Sequence, residues 1–229
     1  MDVPGTSRRR SAGLGRLRFR PERPSDGTGP RGLLRLEGPA GRPLGRVFAP
    51  ADEDGRPMRL VLLLHGAGGV AGTAAELLRP YAEEHRLLLV APKSTGTTWD
   101  VIAGGYGPDV RLVDDLLTRV SADYPVDGYA IAGFSDGASY ALSLGLDNGD
   151  LFRSVVAFSP GFSAAQDPRG RPRLFVSHGT DDPVLPIDRC SRRIVPVLRR
   201  RYDVTYEEFP GGHSVPVPLR RQAADWLTG

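Results

Sequence analysis

The chain has 229 residues, 40% of them hydrophobic and 25% charged, the balance of a folded domain with a buried core rather than of a disordered or fibrous chain. No apolar run approaches the ~20 residues that cross a bilayer, the arginine-bearing N-terminus lacks the apolar stretch of a secretory leader, and the single cysteine, Cys190, leaves no pair for an internal disulfide. The net charge of +3 is unevenly placed: residues 1–31 carry eight arginines against Asp2, Glu22 and Asp26, so the rest of the chain is net −2.

Residues 1–30, rich in Arg, Gly, Pro and Ser, read as a flexible tail, and residues 31–229 as one domain. Arginine clusters attract phosphates, but only Phe19 interleaves this one, so nucleic acid is not an expected partner. The pattern then becomes ordered. Leu33–Leu36 and Arg46–Phe48 read as short strands, Asp52–Pro57 as a loop, and Leu60–Leu64 as a strand buried on both faces. Thr73–His85 reads as a helix and Leu87–Ala91 as a second buried strand. Val110, Val113, Leu116, Leu117 and Val120 give helical spacing over Asp109–Tyr124. Ala130–Gly133 is a strand followed by a helix over Asp136–Leu146. Strands at Ser154–Phe158 and Leu174–Ser177, a helix at Ile187–Arg201, a strand at Val204–Glu208 and a helix at Pro216–Leu227 complete the chain. This alternation predicts a mostly parallel, doubly wound α/β sheet with helices on both faces and no large lid.

In such a sheet, chemistry collects at the carboxyl ends of the strands. The strongest signal there is Gly133-Phe-Ser135-Asp-Gly137, between strand and helix. Ser135 would sit on a sharp turn, with Gly133 and Gly137 keeping Cβ atoms out of crowded backbone and the Asp136 amide close to its hydroxyl. Other strand ends carry His65-Gly-Ala-Gly-Gly69, Lys93–Asp100, His178-Gly-Thr-Asp181-Asp182-Pro183 and Gly211-Gly-His213. Polar candidates therefore follow the order Ser, Asp, His, used by serine hydrolases on this kind of sheet. Trp99 is either a pocket wall or ordinary loop packing, and Tyr106, in Gly104–Pro108, borders the same region. With His65 and Gly68 these form the candidate substrate pocket. No cysteine pair, His-x-x-x-His or dense acidic loop predicts a metal, and the glycine loop lacks the ending of a nucleotide-binding P-loop, so no cofactor is expected. Cys190 lies in a polar stretch without a neighbouring histidine and reads as a helix residue.

The pieces Leu64-His-Gly-Ala-Gly-Gly69, Gly133–Gly137, His178–Pro183 and Gly211–His213 together resemble the α/β-hydrolases, in particular small serine esterases of the carboxylesterase, phospholipase and thioesterase group and polyhydroxybutyrate-depolymerase-like esterases. The resemblance spans residues 60–215. It implies Ser135 as nucleophile, His213 as base, and Asp182 rather than Asp181 as the acid. It also implies the amides of Ala67 and Asp136 as oxyanion donors, with His65 and His178 shaping loops. Many relatives carry glutamine where this chain has Asp136. The implied activity is hydrolysis of carboxylic esters with short to medium acyl chains through an acyl-enzyme, without a cofactor. A lysophospholipase or acyl thioesterase, a polyester depolymerase and a non-catalytic binding protein are the alternatives. The expected partner is a small ester or thioester and the expected setting the cytoplasm, without integral membrane association.

Overall fold

Leu60–Leu64 is apolar at every position because both of its faces are covered. In the computed structural model, which describes residues 13–21, 25, 27–51 and 55–229, Leu60, Leu62 and Leu64 enter one hydrophobic layer and Val61 and Leu63 the other. These residues belong to β3 (Met58–Leu64), next to the centre of an eight-stranded sheet. The other strands are β1 (Gly32–Glu37), β2 (Pro43–Ala49), β4 (Leu87–Pro92), β5 (Val126–Phe134), β6 (Phe152–Phe158), β7 (Arg173–Gly179) and β8 (Val204–Phe209). Their spatial order is β1-β2-β4-β3-β5-β6-β7-β8. The β1–β2 and β2–β4 pairs are antiparallel and the remaining pairs parallel.

The helices are α1 (Ala71–Ala75), α2 (Asp100–Ala103), α3 (Pro108–Asp123), α4 (Asp136–Asp147), α5 (Ser191–Leu198) and α6 (Val217–Thr228). Helix α3 buries Val110, Val113, Leu116, Leu117 and Val120, the expected stripe. Helix α4 is buried at every position from Gly137 to Asp147, so the element that begins beside Ser135 is held from all sides. No large lid stands over the carboxyl edge of the sheet among the described residues.

Three expectations differ from the structure. The helix expected over Thr73–His85 is only α1 followed by turns and a short 3₁₀ segment, Arg79–Tyr81. Pro80, which has no amide hydrogen and clashes with a preceding turn, breaks it. The helix expected over Ile187–Arg201 is a 3₁₀ turn, Ile187–Arg189, and then α5. The domain boundary also moves. Residues 1–12, 22–24 and 26 of the expected tail, and 52–54 of the expected loop, lie outside the described residues. Residues 13–21 dock on the body: Leu17 is 1% exposed, its amide donates to Asn148 Oδ1 at 2.9 Å, and Asn148 Nδ2 returns a bond to the Gly15 carbonyl at 2.8 Å. Arg16 pairs with Asp150, and Phe19 packs edge-on against Tyr129. An amide side chain that offers both donor and acceptor acts here as one rung of a strand.

Candidate active site

Strand β5 ends at Phe134 and α4 begins at Asp136, leaving Ser135 alone in the turn with φ 58° and ψ −122°. This left-handed conformation is costly for a non-glycine residue and persists only where its surroundings impose it. Here the Ser135 amide donates to the Phe158 carbonyl at 2.9 Å, across to β6. The flanking glycines are sterically required. A Cβ on Gly133 would lie 2.1 Å from the Gly137 carbonyl oxygen, and one on Gly137 2.2 Å from that of Leu64.

His213, in the loop after β8, reaches this serine. Its Nε2 lies 2.9 Å from Ser135 Oγ and its Nδ1 2.6 Å from Asp182 Oδ2. An ionised carboxylate only accepts, so Nδ1 carries the proton and donates to Asp182, leaving Nε2 to accept from the hydroxyl. The ring also packs on Phe134, with centroids 4.7 Å apart. The loops bearing Asp182 and His213 meet because β7 ends in glycine. A Cβ on Gly179 would fall 2.3 Å and 2.4 Å from the carbonyl oxygens of Gly211 and Gly212.

Asp182 is buried, and its second oxygen accepts from the Val184 and Leu185 amides at 2.9 and 2.8 Å. Burial pushes its carboxyl upward, but the Leu185 amide, the His213 ring and the Val184 amide outweigh it and hold the group below the usual carboxylate range. Asp181 is exposed, with its carboxylate on the Thr180 hydroxyl. Beneath Asp182 lies His178, fully buried. Its Nε2 donates to the Leu185 carbonyl at 2.8 Å and its Nδ1 accepts from the Ser191 hydroxyl at 2.7 Å. Burial depresses the His178 pKa, so the ring is neutral and props up the turn that presents Asp182.

On the other side of Ser135 runs the Gly66–Gly69 loop. A Cβ on Gly66 would sit 3.3 Å from Ser135 Cβ, which brings this loop against the serine. The Gly68 amide donates to the Thr97 carbonyl and that of Gly69 to Gly66. The amides of Ala67 and Asp136 donate to no other group among the described residues. The Asp136 carboxylate accepts from the Thr98 hydroxyl at 2.6 Å, which fixes its orientation. Thr98 carries no sequence signal for this role.

The expected pocket residues are corrected in part. Trp99 is 0% exposed: its indole N–H donates to the His65 carbonyl and its ring stacks on Tyr140. Tyr106 is buried with its hydroxyl on Asp147. His65 is 2% exposed, with Nδ1 donating to the Gly66 carbonyl and Nε2 accepting from the Ser94 amide. Trp99 and His65 support the Gly66–Gly69 loop from within, Tyr106 packs on α4 and Gly15, and all three are buried. Gly68 is exposed at the rim. Among the described residues no group of three or more His, Cys, Asp or Glu is placed to hold a metal, and no helix is long and apolar enough to cross a membrane.

The S-formylglutathione hydrolase of Staphylococcus aureus superposes with a TM-score of 0.68, covering 86% of this chain and 98% of that one at 19% identity. The chain has the α/β-hydrolase fold. A ferulic acid esterase from Anaeromyces mucronatus shares this α/β-hydrolase architecture at a TM-score of 0.61, covering 86% and 88% of the two chains at 18% identity. In sequence, the family Esterase, described as "Putative esterase", matches residues 110–215, which include Ser135, Asp182 and His213. Feruloyl esterase C of Emericella nidulans is 30% identical over 158 residues, 63% of this chain and 57% of the relative. The Aspergillus niger protein named "Probable feruloyl esterase C" is 31% identical over 150 residues, 61% of this chain and 54% of the relative. The chain thus spans about half the length of the curated relatives it matches.

Proposed function

We propose that this α/β-hydrolase is a serine hydrolase that cleaves carboxylic esters through an acyl-enzyme. The observation that carries the reading is the continuous relay Ser135–His213–Asp182, with spacings of 2.9 and 2.6 Å. In this reading His213 Nε2 takes the hydroxyl proton as Ser135 Oγ attacks the acyl carbon. The Asp182 carboxylate holds the imidazole in the required tautomer and stabilises the imidazolium. The tetrahedral oxyanion rests on the amides of Ala67 and Asp136, while the Asp136 carboxylate is held by the Thr98 hydroxyl. His213 then protonates the leaving alcohol, giving the acyl-enzyme; it next takes a proton from a water that attacks the acyl carbon and returns it to Ser135 Oγ as the bond to the acyl group breaks and the carboxylic acid leaves. Gly68, Val70 and Val184, in the loops that flank Ser135 and Asp182, are exposed.

The test is initial rates on p-nitrophenyl esters of increasing acyl length, and on methyl ferulate, for the wild type and Ser135→Ala. Methyl ferulate is included because two relatives are named feruloyl esterases. The expected result is turnover that falls by about 10⁴-fold or more in the variant. A folded wild type with no turnover on any ester would overturn the reading. We place the protein in the cytoplasm on its single cysteine, Cys190, which is buried and unpaired.

A further inference from the structure

A second concave site lies along the same edge of the sheet. A cleft of about 570 Å³ opens between the end of β1, the start of β2, the residue after β4 and the first turn of α1. It carries three cations, Arg35, Arg46 and Lys93, against one carboxylate, Glu37. Arg35 and Arg46 are register partners in the antiparallel β1–β2 pair, so two cationic side chains leave the sheet from directly opposed positions. This arrangement destabilises a sheet. Neither guanidinium has a hydrogen-bond or ion-pair partner among the described residues, and Lys93 touches only the neutral Ser94 hydroxyl and Gly96 carbonyl. Ion pairs do form at other arginines, Arg16 and Arg20 with Asp150, Arg79 with Glu76, Arg192 with Asp188 and Glu208, and Arg221 with Glu84, while single exposed arginines such as Arg111 and Arg153 stand apart on the surface; what sets the cleft apart is three cations around one cavity.

The cleft is also placed to communicate with Ser135. Lys93 directly precedes Ser94, whose amide bonds the His65 ring, and Val70 and Gly72 follow the Gly66–Gly69 loop. Strands lie ~4.8 Å apart, so β2 stands on the order of 14 Å from β5 across the sheet. Arg46 leans back over Gly72, whose hypothetical Cβ would sit 3.6 Å from Arg46 Nε. Nothing in the fold requires a repulsive pair here, and an anion would relieve it. We propose that this cleft is an anion-binding site for a carboxylate or phosphate group, held between Arg35, Arg46 and Lys93, and that an anionic substituent of the ester substrate occupies it. That the anion is borne by the substrate rests on Ser135 being an ester-cleaving nucleophile; the anion site itself does not.

The experiment has two arms, both at low ionic strength because exposed charges are screened. In the first, inorganic phosphate is titrated into the full chain by calorimetry and thermal melting. Wild type is expected to bind and gain melting temperature. Arg46→Gln is expected to melt higher than wild type without phosphate, since the repulsion is gone, and to bind phosphate at least tenfold more weakly. In the second arm, mono-p-nitrophenyl esters of dicarboxylic acids of increasing length are compared with neutral esters of the same length. The ratio of kcat/KM values, anionic over neutral, is expected to exceed one in wild type and to fall at least tenfold in Arg46→Gln. Weakened phosphate binding together with a lost charge preference supports a substrate-borne anion. Weakened binding with no charge preference in wild type supports the site with a free anion as its occupant. No phosphate binding by wild type, or equal binding by both proteins, overturns the proposal. If no ester is turned over at all, the ester reading fails, and the first arm still decides the anion site.

Discussion

The two flanks of Ser135 are built on opposite principles. On the acid–base flank, polar atoms of the relay are spoken for: Asp182 accepts from two amides and from His213, and His178 beneath it bonds both Leu185 and Ser191. On the opposite flank, the Ala67 and Asp136 amides donate to nothing among the described residues, and the loop that carries Ala67 is exposed. The difference follows from the tasks proposed for them. A proton relay needs one tautomer and one orientation throughout the cycle, which full hydrogen bonding supplies. An oxyanion site needs donors that are fixed in place yet unengaged until charge develops, so its rigidity must come from neighbouring groups. Here those neighbours are Gly68 bonded to Thr97, and His65 bonded to Gly66 and Ser94.

The sharpest way to break this comparison is Asp182→Asn. The amide cannot serve as acceptor toward both His213 and the two backbone amides without losing the tautomer, and kcat is expected to fall by about 10⁴-fold with the fold retained. A drop of less than tenfold on ester substrates would remove Asp182 from the relay. Next come two glycine substitutions that the flanks should treat differently. Gly179→Ala drives a methyl into the carbonyls of Gly211 and Gly212 and pushes the His213 loop away. A displacement of about 1 Å costs on the order of 10²-fold in rate. Gly68→Ala meets no atom within 4 Å and suffers only its φ of 63°. That conformation costs about 1 kcal/mol, which lowers the melting temperature of a chain this size by about 2–4 °C. Rates and melting curves for the pair check both; equal losses from the two would show that the loops are not differently constrained.

The smallest expected effect is in pH dependence, and it has opposite signs on the two flanks. Asp182 titrates below 3.8 in the fold, so its contribution to stability is present above pH 3.8 and is lost as pH falls through the folded value. Asp100 supports the opposite flank through α2. Burial, with the Asp109 charge adding to it, raises its carboxyl against the amides of Asp109 and Gly107 that bond it. A raised carboxyl costs stability as pH climbs from 3.8 through its folded value, because the unfolded chain ionises first. Thermal melts of Asp100→Asn should therefore gain on wild type as pH rises through that window, by about 1.4 kcal/mol for each tenfold loss of acidity that burial imposes on the carboxyl. A gap that shrinks instead would contradict the burial argument.

Much of the site was legible because it rests on short-range rules. The Gly133–Gly137 turn announces its own strain, and the His-Gly-x-x-Asp-Pro pattern singles out Asp182 once the resemblance is drawn. What failed was the step from position to direction. Trp99 stands at a strand end, as a pocket residue should, yet its side chain runs inward to the His65 carbonyl and Tyr140. Strand-end position tells which edge of the sheet a residue occupies, not whether its side chain enters the core or the solvent. The docked segment 13–21 was hidden for a related reason. Its apolar residues are few, and its partners Asp114, Asn148 and Asp150 lie 95 to 134 residues away.

By itself, the sequence determined the alternation of strands and helices, the turn at Ser135 and the candidates for acid and base. Each of these depends on local periodicity, on backbone sterics or on residue chemistry at one strand end. Only the tertiary structure decided that His213 Nε2 lies 2.9 Å from Ser135 Oγ, that Asp136 turns to Thr98, and that Arg35 opposes Arg46. Those outcomes depend on strand order and register, which bring together residues distant along the chain and leave no local trace in it.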